Sequence, residues 1–117
     1  IRLAERGSFA SGLALLQPSF ERLLDNVGAS LVGTTGLIQI EGHTDNVPLA
    51  FGSRYRDNWD LSSARSASVA DYLLGEEYVP PGNMVVMGLA DTQPIASNDS
   101  ALGRASNRRI EIVVKGD

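Results

Sequence analysis

"LIQIEGHTDNVPLAFGSRYRDNWDLSSARSASVADYLLG", residues 37–75, decides how this chain folds. It opens with Leu37, Gln39 and Glu41 alternating against Ile38 and Ile40, the period-two pattern of a strand with one buried face. It closes on a helix whose apolar side is Leu61, Ala64, Val69, Tyr72 and Leu73. Asp60 or Ser62 is placed to cap that helix, and Gly75 to stop it. Between the two, residues 46–60 form a loop rich in Gly, Pro, Asn and Asp. Loops of that length inside compact domains are usually functional or disordered.

Outward from this unit the pattern repeats. Upstream, Ile1–Ala4 reads as a short strand ended by Gly7, and "FASGLALLQP" as a connection anchored by Phe9 and Leu13. Pro18 suits the first position of a helix, where its missing N–H costs nothing. Phe20, Leu23, Leu24, Val27 and Leu31 follow at helical spacing, before Gly33 and Gly36. Downstream come a "VPPGN" turn, a short buried strand "MVVMG", a polar loop over 89–101, a helical turn over 102–106, and a last strand "RIEIVVK". The order predicts an α+β domain spanning 1–117. It is a two-layer α/β sandwich with a β-α-β-α-β core, helices on one face of a mixed sheet.

Composition narrows the function classes. The chain has 117 residues, no cysteine and a net charge of −4 from 14 acidic and 10 basic residues. Without cysteine there is neither a disulfide framework nor a thiolate metal site. The basic residues are dispersed, which argues against a nucleic-acid surface. No apolar run approaches the roughly 20 residues of a membrane helix. The chain begins at Ile1 in what reads as mid-strand, so a fragment or processed product is expected.

Candidate chemistry centres on His43-Thr44-Asp45 and Arg65. His43 could act as a base beside a serine, but no nucleophile-elbow pattern accompanies it. The favoured reading is a structural strand-end histidine. One histidine without cysteine cannot supply a zinc site, and no acidic spacing suits calcium, so no metal or cofactor is expected. Arg65 reads as lying in a helix first turn, where a cation is disfavoured by the helix dipole. Either it holds an anion or it pairs with Asp45, Asp57 or Asp60. Asp45 at a strand end can accept an ammonium. Together Asp45 and Arg65 offer the two complements of a zwitterion, so the stretch reads as built to hold rather than to cut. Trp59 reads as a loop anchor. Asn107-Arg108-Arg109 either face the same site or form a solvated strand start, and the solvated reading leads.

The pieces "IQIEGHTD", "NWDLSSARSASVADYL", the glycine of "VVMGLADTQPIASN", and "GRASNRRIEI" resemble, in order and over nearly the whole chain, the OmpA-like peptidoglycan-binding domain. The resemblance implies non-catalytic binding of peptidoglycan stem peptide at diaminopimelate. Asp45 matches the aspartate of the family's TD motif and Arg65 the arginine of its LSxxR motif. Asn58, Thr44, Leu61 and Arg109 match positions lining the groove. "GHTDNVP" with its stretched loop, Tyr55, "NWDLSSAR" and the lead-in "IRLAERGSFASGLALL" look most like the B subunits of the flagellar stator, MotB and PomB. That subgroup implies a homodimer in the periplasm, held to the inner membrane by an upstream helix that meets a stator A subunit. The alternatives are an outer-membrane or lipoprotein-type tether, and a cell-wall hydrolase using His43.

Overall fold

The computed structural model describes residues 1–5 and 8–116. Strand β1 (Arg2–Ala4) is followed by helix α1 (Pro18–Leu31), strand β2 (Leu37–His43), helix α2 (Asn58–Gly75), strand β3 (Met84–Gly88), helix α3 (Ala101–Asn107) and strand β4 (Arg109–Lys115). A single 3₁₀ turn over Pro81–Asn83 leads into β3. The sheet order is β1-β4-β2-β3. β2 pairs parallel with β3 across the α2 crossover, and β4 pairs antiparallel with both β2 and β1. The expected α+β sandwich with a mixed sheet is what forms. The expected end of β1 at Gly7 lies outside the described residues.

The core is where the two periodicities meet. Ile38 and Ile40 from β2 and Ile110 and Ile112 from β4 face Phe20, Leu24, Val27 and Leu31 from α1 and Val69 and Leu73 from α2. Phe9 of the lead-in packs edge-on against Phe20, with ring centroids 5.4 Å apart, a favourable aromatic geometry. Leu13 is only half-buried. Leu23, expected in the core, is 43% exposed because it lies off the i, i+4, i+7 row of Phe20, Leu24 and Val27. "MVVMG" is not a buried strand. β3 is a sheet edge, and Val85 and Val86 remain exposed.

Helix α2 begins earlier than its apolar pattern suggests. Asp57 is the N-cap, its carboxylate accepting from the Asp60 backbone N–H at 2.9 Å. Neither Asp60 nor Ser62 caps it, because both already lie inside the helix. Arg65 therefore sits two turns in, and the helix-dipole penalty expected of a first-turn cation does not apply. Gly75 is the last helical residue, and the chain reverses at Glu77 with φ 62°.

α2 lies unusually close to the sheet, and two glycines permit it. A Cβ on Gly42 would stand 2.2 Å from the Ser62 carbonyl oxygen and 2.6 Å from Ser66 Oγ; one on Gly88 would meet Ser63 N at 2.6 Å. The helix face there carries Ser62 and Ser66, and the Ser66 hydroxyl donates to the Met87 carbonyl at 2.8 Å. Gly42→Ala should force the helix outward and lower stability by about 1–3 kcal/mol, the usual cost of overpacking. Urea unfolding of the variant beside the parent checks this; an unchanged midpoint would show that the contact does not set the helix position.

Candidate functional site

A cleft of about 590 Å³ opens where the lead-in, the C-terminal end of β2, the 46–56 loop and the start of α2 converge. Its walls include Asp45, Thr44, Asn58, Leu61, Arg65, Glu5 and Arg108. Five of the six sequence-predicted site residues thus share one cavity. Arg109 is not among them.

Each wall residue is held by local chemistry. The Thr44 backbone N–H donates to the Ala90 carbonyl at 2.8 Å, and its hydroxyl donates to the Asp45 carbonyl at 2.8 Å. Asp45 Oδ1 accepts from the Val47 N–H at 3.0 Å, a turn that aims the carboxylate at the cleft. The Asn58 amide donates to the Val47 carbonyl at 3.0 Å, closing the loop onto α2. Leu61, 4% exposed, is the apolar floor.

Four of the charged wall groups, Arg65, Glu5, Arg108 and Asp45, form one chain, and Arg54 lies exposed on the same wall. Arg65 is 4% exposed, and every nitrogen of its guanidinium has an acceptor. Nε donates to the Leu13 carbonyl at 2.8 Å, Nη1 to Glu5 Oε2 at 2.5 Å and Nη2 to the Ala10 carbonyl at 3.4 Å. The Phe9 ring lies 4.9 Å from Cζ, a cation–π contact. Arg65 therefore pairs with Glu5, not with Asp45, Asp57 or Asp60. Arg108 bridges onward, Nε donating to Glu5 Oε1 at 3.1 Å and Nη1 to Asp45 Oδ2 at 2.7 Å. Burial works against the Arg108 charge, but the Asp45 and Glu5 carboxylates outweigh it and raise its pKa. The arrangement presents fixed cations and anions side by side in one open cleft, suited to a ligand carrying both signs.

Arg109 departs from expectation. It is buried, with Nε donating to Glu111 at 2.5 Å, Nη1 to the Asn107 carbonyl at 3.1 Å and Nη2 to the Gln93 carbonyl at 3.0 Å. Successive side chains at a strand start point to opposite faces, so only one of two adjacent arginines can reach the cleft. That residue is Arg108. Asn107 is fully buried rather than solvated. Its amide oxygen accepts from Ile95 and Ala96, and its NH₂ donates to Ala96 O and Asn98 Oδ1, fastening the 89–100 loop to α3. Trp59 does not anchor its loop: it is 52% exposed. Arg108, read from sequence as solvated, lines the cleft, and Glu5 is a charged wall residue that sequence reasoning passed over. Glu5 leaves no local signal, since only the sheet order carries β1 to β4.

His43 stands outside this chain. Its ring is buried, with Nε2 3.2 Å from Glu41 Oε1 and 3.9 Å from Glu111 Oε2. It borders a void of only about 10 Å³, room for about one water and not for a substrate. Burial, aided by the Arg109 charge, lowers its pKa below the ordinary 6.5 despite the hydrogen bond to the Glu41 carboxylate.

With its mixed four-stranded sheet, helical layer and charged cleft, the molecule is a two-layer α+β domain with one charged cleft at the end of β2. Residues 8–108 match the OmpA family, and the chain belongs to that family. It is 36% identical to YtxE of Bacillus subtilis over 97% of this chain, spanning 46% of that protein. It is 38% identical to the peptidoglycan-binding protein ArfA of Mycobacterium tuberculosis over 92% of this chain and 31% of ArfA. The chain thus spans about half or less of these curated relatives. Among solved structures it superposes on a MotB-like protein from Desulfovibrio vulgaris with a TM-score of 0.93 at 32% identity, covering 99% of this chain and 74% of that one. On the cell wall anchor of the T6SS from Pseudomonas aeruginosa the TM-score is 0.86 at 37% identity, covering 99% and 80%.

The lowered His43 pKa has a definite sign. Below pH 6.5 the unfolded chain takes up a proton that the folded chain resists, so folding stability falls as pH drops from 6.5 toward the depressed folded value. His43→Gln should unfold with a flatter pH dependence in that window. Parallel slopes for parent and variant between pH 7 and 5 would show that His43 is not the acid-sensitive group.

Proposed function

We propose that this domain, over 1–117, is a non-catalytic anchor that holds the stem peptide of peptidoglycan at diaminopimelate and so fixes an envelope assembly to the cell wall. The observation that carries this reading is the single cleft lined by Asp45, Arg65 and Arg108 together. The free amino-acid end of diaminopimelate is a zwitterion, with an ammonium for Asp45 and a carboxylate for the arginines. Thr44, Asn58 and Leu61 shape the cleft around it. The peptidoglycan-binding name of ArfA and the cell-wall-anchor description of the T6SS structure support the same substrate class. His43, enclosed away from this cleft, is given no part in bond cleavage.

The assembly is a flagellar stator unit in this reading, supported by the likeness to a MotB-like protein. The domain then works in the periplasm as part of a homodimer, tied to the inner membrane and a stator A subunit by a membrane helix elsewhere in the protein. No described helix is long and apolar enough to cross a membrane. A second reading, a tether of another envelope assembly, is favoured by the 37% identity to the T6SS anchor. Swimming lost on deletion, with other envelope traits intact, selects the stator.

Sedimentation with insoluble peptidoglycan tests the binding. Asp45→Asn removes the counter-charge of the ammonium, and Arg108→Gln a cation of the wall; each should weaken binding by about 2–5 kcal/mol where the contact is desolvated. Arg65→Ala is a poor single test, because losing a guanidinium 4% exposed leaves the Glu5 carboxylate and two carbonyls without it and destabilises the fold as well. Circular dichroism must show each variant folded. If folded Asp45→Asn protein sediments like the parent, the assignment is wrong.

A further inference from the structure

We propose that Glu5 is an internal competitor for the anionic end of the ligand, occupying Arg65 and Arg108 until a ligand carboxylate takes its place. The proposal rests on the reading of the cleft as a site for a carboxylate and an ammonium, and adds a residue that sets its affinity. Its basis is geometric. Glu5 gives Oε2 to Arg65 at 2.5 Å and Oε1 to Arg108 at 3.1 Å, so one carboxylate spans both cations. A ligand carboxylate aimed at Arg65 would need the donor that Glu5 holds.

No second fork is available on Arg65. Its Nε, Nη1 and Nη2 all have acceptors, and the residue is 4% exposed. Two of those acceptors are backbone carbonyls of the lead-in, Leu13 and Ala10, which cannot leave without unravelling it. The Glu5 side chain can. Its backbone stays fixed, the Glu5 N–H donating to the Arg108 carbonyl at 3.0 Å. Its side chain is 23% exposed and borders the cleft. Rotation about its side-chain bonds frees the donors while β1 keeps its place beside β4.

The exchange conserves charge. Within the bonded chain, the Asp45 and Glu5 carboxylates balance the Arg65 and Arg108 guanidinium groups, while Arg54 lies exposed on the same wall outside that chain. A ligand carboxylate that displaces Glu5 replaces one anion with another. Its ammonium is left for Asp45. Binding therefore involves competition: a latch engaged nine-tenths of the time weakens apparent affinity about tenfold.

The test uses Glu5→Gln, which keeps the shape and loses the charge, and Glu5→Ala, which removes the competitor. Three readouts are taken on folded protein: sedimentation with peptidoglycan, thermal shift with free diaminopimelate, and the Arg65 Nε–H resonance during titration with sodium acetate. Both variants should melt below the parent without ligand, because a buried guanidinium has lost its counter-charge. They should then bind about tenfold tighter than the parent and show a larger ligand-induced thermal shift. Acetate should move the Arg65 resonance in the variants at about tenfold lower concentration than in the parent. Equal or weaker ligand binding by the variants, or equal acetate responses, overturns the competitor role. Parent protein that fails to sediment overturns the wall-binding reading instead, and the acetate titration still decides the role of Glu5.

Discussion

A guanidinium buried to 4% exposure on the inner face of α2 is the constraint around which the cleft is built. A charge that deep is tolerated only when paired and hydrogen-bonded, and removing one partner of such a pair typically costs about 3–5 kcal/mol. Arg65 meets that demand entirely from the lead-in: the Glu5 carboxylate, the Ala10 and Leu13 carbonyls, and the Phe9 ring. The polar demand of one side chain thus holds Glu5 and residues 8–13 at the mouth of the sheet. Phe9 then reaches Phe20 and ties the same segment to the core. Core and cleft share this wall, so a change at Arg65 is felt in both.

The second constraint is distance. Gly42 and Gly88 let α2 settle onto β2 and β3 where a Cβ would collide with Ser62, Ser63 or Ser66. The Ser66 and Ser62 hydroxyls turn that closeness into hydrogen bonds, to Met87 O and from Ala90 N. The Ala90 carbonyl in turn receives the Thr44 N–H. The strand end that carries Asp45 is therefore set by the helix that carries Arg65. Two residues far apart in sequence come to one cavity through a helix–sheet spacing only glycine permits.

Much of this was legible in the sequence, for identifiable reasons. Alternation in β2 and β4 and the apolar row of α1 are local signals and gave the α+β sandwich. The α2 start is hard to read because its cap, Asp57, precedes a polar, partly buried Asn58 and an exposed Trp59, neither of which joins the buried apolar row. That shift moved Arg65 out of the first turn and removed the dipole argument, although the residue still reached the cleft. The β3 burial was misjudged because an apolar run looks the same at a sheet edge as at its centre. Glu5 was invisible, since its partners lie 60 and 103 residues away along the chain. Arg109 follows from the family pattern, whereas the structure puts its neighbour Arg108 on the cleft wall.

That adjacent pair divides two tasks cleanly. Arg109 is directed away from the cleft, binding Glu111 of its own strand and the carbonyls of Asn107 and Gln93. It stands beside a carboxylate pair that would otherwise repel, because Glu41 and Glu111 sit directly opposite across β2 and β4. Like charges in that position are destabilising. Arg109 on Glu111 and His43 on Glu41 give each carboxylate a partner. Arg108, one residue earlier and a third exposed, turns to the other side and joins Glu5 to Asp45. The lone histidine thus belongs to the support of the strands, and the Glu5, Arg108 and Asp45 charges belong to the cleft. The two ionic networks share no hydrogen bond among the described residues, although Glu5, Arg65, His43 and Arg109 border one void of about 10 Å³, so the charges that hold β2 to β4 keep partners of their own.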